Sequence, residues 1–347
     1  MVRGYGKGKF KSDKQRRAVM SQFNNGNKKQ LNKGYRLKKT IPKSPNKSYD
    51  TGYTVHDTNM AELKKNKVSV FVDGEGNIIS YGYQHEGKTI QLPNTGYEKQ
   101  REEIYTKKSV QHPAKMDTQL SQSLIQEYSK PGDLIYDPMA GIGTTGIESS
   151  RLGRDAVISD IEPKWTKEAK KNKQLLKKEG EYNGNIHIHT GDSRKYELKK
   201  KADVIITSPP FEDVLWGDKS HYKNEDWKNT GMYSTKSSYS YGKEKEGQLG
   251  NIKGEEHYKI TKEIYEQCYK NLKKDGVMIV HTKNFVRQGK EVRMDDKTRE
   301  IMEESGFKFV EKRRRKITRP SFFKIQYERK HPEGPKIHYE NLLIFKK

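Results

Sequence analysis

From residue 109 onward, short apolar runs alternate with amphipathic stretches, the pattern expected of strands and helices taking turns in an α/β sheet. Asp117 stands where a helix cap belongs, ahead of Leu120, Leu124, Ile125 and Tyr128 at helical spacing, and Pro131-Gly132-Asp133 stops that helix. Residues 134–137 predict a strand, 138–145 a glycine-bearing turn, and the residues up to Gly153 a helix. Residues 156–160 predict a second strand, Pro163 opens a Lys-rich helix ending near Gly180, and residues 186–190 predict a third strand leading into Gly191-Asp192-Ser193. Val204, Ile205 and Ile206 are apolar and β-branched without alternation, which predicts a strand buried on both faces. Beyond them, Ile260, Ile264, Tyr265, Cys268 and Leu272 stripe a helix, 277–280 form a strand, 295–305 form a helix closed by Gly306, and 307–310 and 340–345 are the last strands.

Before residue 109 the pattern differs. Residues 68–72 and 78–81 flank a turn at 73–77 and predict a hairpin, with 88–92 as a third strand. Residues 1–60 lack apolar periodicity except for a short basic helix over 14–23. Residues 212–255 are long and polar, with Trp216, Trp227, Tyr222 and Tyr239 among lysines and glycines. The organisation expected is a basic arm (1–60), a small β appendage (61–108) and one α/β domain (109–347) carrying a substrate or recognition insertion at 212–255.

Charge adds a partner. The 347 residues carry a net charge of +24, of which +13 falls in the first 50 residues and +11 in the rest. A polyanion, most simply nucleic acid, is the implied ligand. Lys14, Arg16 and Arg17 of the arm, and Arg313, Arg314, Arg315 and Arg319 near the end, are the candidate phosphate contacts. No run of 18 apolar residues and no opening secretory segment is present, so an intracellular, cytoplasmic protein without a membrane partner is expected. Cys268 is the single cysteine, which excludes an intrachain disulfide and a cysteine-based zinc site. His187 and His189 alternate with isoleucines and read as solvent-side strand positions, so no metal site is expected.

The chemistry concentrates after the fourth strand, in Ser208-Pro209-Pro210-Phe211. Two prolines fix an extended corner whose carbonyls lack ladder partners, at the sheet edge where α/β folds bind ligands. Acceptors beside an aromatic plane suit a planar ring bearing an exocyclic amine. A proline-terminated core strand with an apolar plug is the alternative for this motif alone. Gly141 and Gly143, followed by Thr144, would let backbone approach a ligand, with Asp137 at the end of the preceding strand. Asp160 lies 19 residues after Gly141 at the end of the second strand, where a carboxylate can accept ribose hydroxyls. The third glycine of a dinucleotide fingerprint is missing.

These parts together resemble the amino-group DNA methyltransferases, which modify N4 of cytosine or N6 of adenine. The resemblance covers residues 109–347. His112-Pro-Ala-Lys-Met116 is similar to the family's opening segment, Asp137-Pro-Met-Ala-Gly-Ile-Gly-Thr-Thr145 to its cofactor loop, and Ser208-Pro-Pro-Phe211 to its catalytic motif, while Asp160 and Asp192 stand at its ribose and adenine contacts. The resemblance implies a Rossmann-like, mostly parallel seven-stranded sheet with one antiparallel strand near its edge, and S-adenosyl-L-methionine as cofactor. It implies methylation of a base flipped out of a specific double-stranded DNA site, and a restriction endonuclease as a companion. Serine before Pro-Pro leans to N4 of cytosine, and N6 of adenine stays open. Methylation of a base amine in RNA and a non-catalytic nucleic-acid-binding module stay open too. Carbon-5 methylation of cytosine is excluded, because its thiolate nucleophile would be a cysteine where Phe211 stands. Recognition of the target is expected from the 212–255 insertion, the N-terminal additions or a partner.

Overall fold

The computed structural model describes residues 53–54, 69–85, 88–93, 104–110, 112, 115–211, 248–252, 254–317 and 322–347. The basic arm with Lys14, Arg16 and Arg17, most of the 212–255 insertion, and Arg319 lie outside the described residues. In chain order the strands are β1 (Tyr53–Thr54), β2 (Ser69–Val72), β3 (Ile78–His85), β4 (Lys88–Pro93), β5 (Leu134–Asp137), β6 (Asp155–Asp160), β7 (Ile186–Thr190), β8 (Ala202–Thr207), β9 (Leu272–Thr282), β10 (Phe285–Arg287), β11 (Lys290–Val292), β12 (Lys308–Lys316) and β13 (Tyr339–Lys346). The helices are α1 (Lys107–Val110), α2 (Thr118–Tyr128), α3 (Thr144–Arg151), α4 (Pro163–Lys178), α5 (Gly254–Asn271), α6 (Met294–Glu304) and α7 (Phe322–Lys330).

Seven strands form the central sheet in the order β7-β6-β5-β8-β9-β13-β12. All run parallel except β13, which is antiparallel to both β9 and β12. This is the mostly parallel, Rossmann-like sheet with one reversed strand near its edge.

The sheet is buried on both faces, which is why β8 is apolar throughout. Ile205, Met278 and Val280 face a core closed by Tyr265 and Cys268 of α5 and by Ile301 and Met302 of α6. Val204, Ile206 and Ile279 face the opposite core, closed by Leu120, Leu124 and Ile125 of α2. Each such side chain removed from water contributes roughly 1.5–3 kcal/mol. A third cluster, with Ile142, Ile147, Ile158, Trp165, Ala169 and Ile186, packs α3 and α4 against β6 and β7. The cap at Asp117 forms as expected, its side chain accepting from the Leu120 N–H at 3.0 Å. Pro163 occupies the start of α4, where a missing N–H costs nothing.

Three features differ from the expectation. The strand expected at 307–310 runs on to Lys316, so the Lys-Arg-Arg-Arg-Lys run is strand and not loop. The β2–β3–β4 meander joins the central sheet, because β3 pairs in parallel with β12 through Ile78 and Arg315. The connection from β12 to β13 contains α7, which the apolar pattern did not announce.

Candidate active site

Strands β5, β6 and β8 end at the same edge of the sheet, and β5 lies between the other two. Asp137, Asp160 and Thr207 are the last residues of those three strands. The turn carrying Gly141 and Gly143 and the Ser208-Pro209-Pro210-Phe211 corner therefore leave the sheet from neighbouring strands, on one edge.

Asp137 is buried. It accepts from the Thr145 hydroxyl at 2.7 Å and from the Met139 N–H at 3.1 Å, tying the turn to the first turn of α3. Burial pushes its carboxyl up to about 6, against those hydrogen bonds. Asp160 reaches back to the same turn, accepting from the Gly141 N–H at 2.7 Å and from the Glu162 N–H at 2.9 Å. Burial raises this carboxyl too, to about 6. One hydrogen bond per oxygen leaves each with accepting capacity toward a ligand.

The two glycines are needed for different reasons. Gly143 has φ +85°, and a Cβ there would sit 2.9 Å from Ile158 Cδ1 and 3.2 Å from Ala169 Cβ. Its bare face admits the core of β6 and α4. Gly141 has φ +52°, and a Cβ would meet only the His112 ring, at 3.1 Å from Nε2. His112 is buried edge-on against Trp165, with ring centroids 4.3 Å apart. The opening segment thus touches the turn through an imidazole. At both positions the missing side chain leaves room for neighbouring protein atoms. Thr144, the first residue of α3, is buried.

Asp192 follows β7 and is engaged by its own neighbour. Its oxygens accept from the Arg194 N–H at 3.0 Å and from the Arg194 guanidinium at 2.6 Å, and Arg194 also pairs with Glu263 at 2.9 Å. Burial would raise this carboxyl, but Arg194 outweighs it and holds it below the usual range. Below it, the Ser159 and Ser193 hydroxyls lie 2.9 Å apart, and both donate to the Pro138 carbonyl, which pins the base of the turn.

Ser208, Pro209, Pro210 and Phe211 are half-buried. The Phe211 ring lies 5.7 Å from that of Phe285, tilted by 49°. With Tyr258, Tyr265, Thr282 and Met294, the two prolines and Phe211 line a narrow apolar cleft. The Tyr265 hydroxyl is buried without a hydrogen-bond partner. Gln248 donates to Glu162 at 3.2 Å, and the Cβ position of Gly250, two residues on, lies 3.9 Å from Pro210 Cβ. The C-terminal end of the insertion thus bridges the proline corner and the loop after Asp160. Nothing in the sequence marked Gln248; proximity to Asp160 was the only signal for Glu162.

The arginines of β12 are engaged elsewhere. Arg315 is buried and pairs with Asp117 and Glu340, each at 2.8 Å. Arg313 pairs with Glu127 at 2.8 Å and with Glu311. Arg314 is exposed and lies 3.4 Å from Glu75. Among the described residues no cluster of His, Cys, Asp or Glu could hold a metal ion, and no helix is long and apolar enough to cross a membrane.

Comparison with known proteins adds four matches. A family model described as DNA methylase (N6_N4_Mtase) matches residues 6–171, which includes the cofactor-loop half of the domain and stops before Ser208. The Type II methyltransferase M2.DpnII of Streptococcus pneumoniae is 40% identical over 60 residues, or 17% of this chain and 22% of that protein. The tRNA (guanine(10)-N2)-dimethyltransferase of Methanothermobacter thermautotrophicus is 28% identical over 103 residues, or 29% of each. The chain thus matches less than a third of the length of either relative. Among solved structures, TrmN from Thermus thermophilus aligns over 81% of this chain and 59% of its own, at 14% identity and a TM-score of 0.41.

Proposed function

We propose that this chain, whose residues 6–171 match a DNA methylase family model, transfers a methyl group from S-adenosylmethionine to the exocyclic amine of a base extruded from DNA, with N4 of cytosine as the acceptor. The observation that carries the reading is the shared edge. The Asp137-to-Gly143 turn and the Ser208-Pro-Pro-Phe211 corner rise from the adjacent parallel strands β5 and β8.

The residues of that edge fit the cofactor. Asp160 is held by two backbone N–H groups at the end of β6 and keeps accepting capacity for two hydroxyls. Asp137, Gly141, Gly143 and Thr144 shape the turn, and Asp192 holds its place through Arg194. Bound there, the cofactor supplies a methyl group on a sulfonium, open to in-line attack by an amine.

The remaining work falls to the proline corner. An aromatic amine is a weak nucleophile because its lone pair is delocalised into the ring. The Ser208 hydroxyl and the Pro209 carbonyl accept its hydrogens and localise that pair on nitrogen. Fixed acceptors of this kind act through positioning and preorganised electrostatics. Because a duplex hides the amine, the base is flipped out, and Phe211 stacks on it. The serine before Pro-Pro favours cytosine; adenine N6 is the nearest alternative.

Purified protein, labelled methyl donor and duplex DNA, followed by nucleoside mass spectrometry, test this reading. N4-methylcytosine is expected. N6-methyladenine as the sole product would overturn the choice of base, and no transfer to DNA would overturn the substrate. The tRNA-modifying relative supports a second reading, transfer to a base amine in RNA, which the same assay decides with RNA in place of DNA.

A further inference from the structure

Helix α4 carries a feature that the transfer reaction does not use. Its inner face is set by Trp165, Glu168, Ala169, Asn172 and Leu176, all buried. At 100° per residue the opposite arc holds Lys164, Lys167, Lys170, Lys171, Lys177 and Lys178, with Pro163 and Gln174 as its uncharged members and no acid. The arc runs the length of 16 residues, about 24 Å. Lys171 pairs with Glu168, and Lys177 lies over the Tyr182 ring. Lys167, Lys170 and Lys178 are exposed and, among the described residues, make no ion pair. Helix α1, carrying exposed Lys107 and Lys108, docks on α4 through Thr106 and Ser109, which bond Asn172 and Glu168.

Lysines at this density repel one another and weaken an isolated helix, and Glu168 relieves only Lys171. An ordinary solvated helix face mixes signs. The arc begins at Pro163, three residues after Asp160, so it leads away from the edge that holds the proposed active site. We propose that this face of α4 is a nucleic-acid backbone contact separate from the catalytic edge, with Lys167, Lys170 and Lys178 as its principal phosphate ligands. Duplex DNA carries about one charge per 1.7 Å of axis, so a 24 Å row of ammonium groups meets several phosphates whatever the sequence. The inference rests on the nucleic-acid reading above. It adds a sequence-independent contact that would hold the protein on DNA while a target is sought.

The test compares the full-length protein with a K167Q/K170Q/K178Q variant on a duplex lacking methylatable sites, over a range of salt concentrations. Glutamine keeps the helix propensity and removes only the charge. Each phosphate contact contributes about 0.9 to the slope of log affinity against log salt, so the variant should lose about 2–3 from that slope. Its affinity for the methyl donor and its transfer rate at saturating DNA should stay unchanged. An unaltered slope, with the native protein binding and methylating DNA normally, would overturn the α4 contact alone. A native protein that binds no nucleic acid would overturn both this and the reading it rests on. Binding to anionic lipid vesicles, lost in the variant while duplex binding is retained, would assign the face to a membrane instead.

Discussion

Replacing Asp137 by Asn isolates the electrostatic cost of the turn. Burial raises this carboxyl from an ordinary 3.8 to about 6, so folding favours the protonated acid. The stability tied to that proton is fully present below pH 4 and is lost as the pH rises through about 6. A shift of two units corresponds to roughly 3 kcal/mol of destabilisation once the group is ionised in the native state. Asn fits the site: its amide oxygen can accept from the Met139 N–H, and its NH2 can face the Thr145 hydroxyl. It does not titrate. Urea unfolding of both proteins, from pH 4 to pH 8, yields a difference in which the titration of Asp160 appears on both sides and largely cancels. The variant should gain about 2–3 kcal/mol relative to the native protein across that range, with most of the gain between pH 4 and 7. Any constant offset at pH 4 reports the altered hydrogen bonds and not the charge. A difference that stays flat with pH would refute the claim that an ionised carboxylate is held there against its solvation.

Five other substitutions separate the parts of the site. Gly143→Ala should cost about 2–4 kcal/mol, from the left-handed φ together with contact on Ile158 and Ala169, whereas Gly141→Ala, which meets only the His112 ring, should cost about 1–2 kcal/mol; equal costs in denaturant unfolding would contradict the packing role of Gly143. Phe211→Ala should lower kcat/KM about tenfold or more, since stacking on a base is worth roughly 1–3 kcal/mol, and near-normal turnover would remove the ring from the mechanism. Ser208→Ala should lower kcat with little change in affinity for the methyl donor, and Asp160→Ala should do the reverse; calorimetry with the donor beside steady-state rates reads both, and matching effects would merge the two roles.

The strands that build the site were legible because they are buried on both faces. Val204-Ile205-Ile206 admits no solvent-facing reading, and β8 forms there. The Asp117 cap was legible because a carboxylate before an apolar periodic run has one economical use, and it caps α2. Gly143 was legible as part of a turn but not as packing, because its reasons lie 15 and 26 residues further along the chain, in Ile158 and Ala169. Gln248 was illegible for the same kind of reason. Its link to Glu162 spans 86 positions, and no local pattern encodes a contact at that separation.

The basic run of β12 is divided by the strand in a way that bears on the proposed partner. Successive residues of a strand point to opposite faces, so a five-residue basic run divides between two environments. Lys312 meets Asp295 of α6, while Arg313 and Arg315 turn to α2 and meet Glu127 and Asp117. Burial opposes the charge on Arg315, but Tyr81, Asp117 and Glu340 outweigh it and raise its pKa, so it stays ionised inside the fold. A buried pair of this kind adds little net stability over apolar packing, yet losing one partner strands a charge and costs several kcal/mol. Its effect is to fix which residues of β12, β13 and α2 lie together, with Asp117 in turn holding the cap of α2. Among the described residues, the positive charge is therefore not presented where it is densest in sequence. On β12 carboxylates cancel much of it, whereas on α4 Lys167, Lys170 and Lys178 are left without acids and face water. A polyanion responds to that uncancelled charge, which is why the helix, and not the arginine run, is the surface on which its salt dependence should be sought.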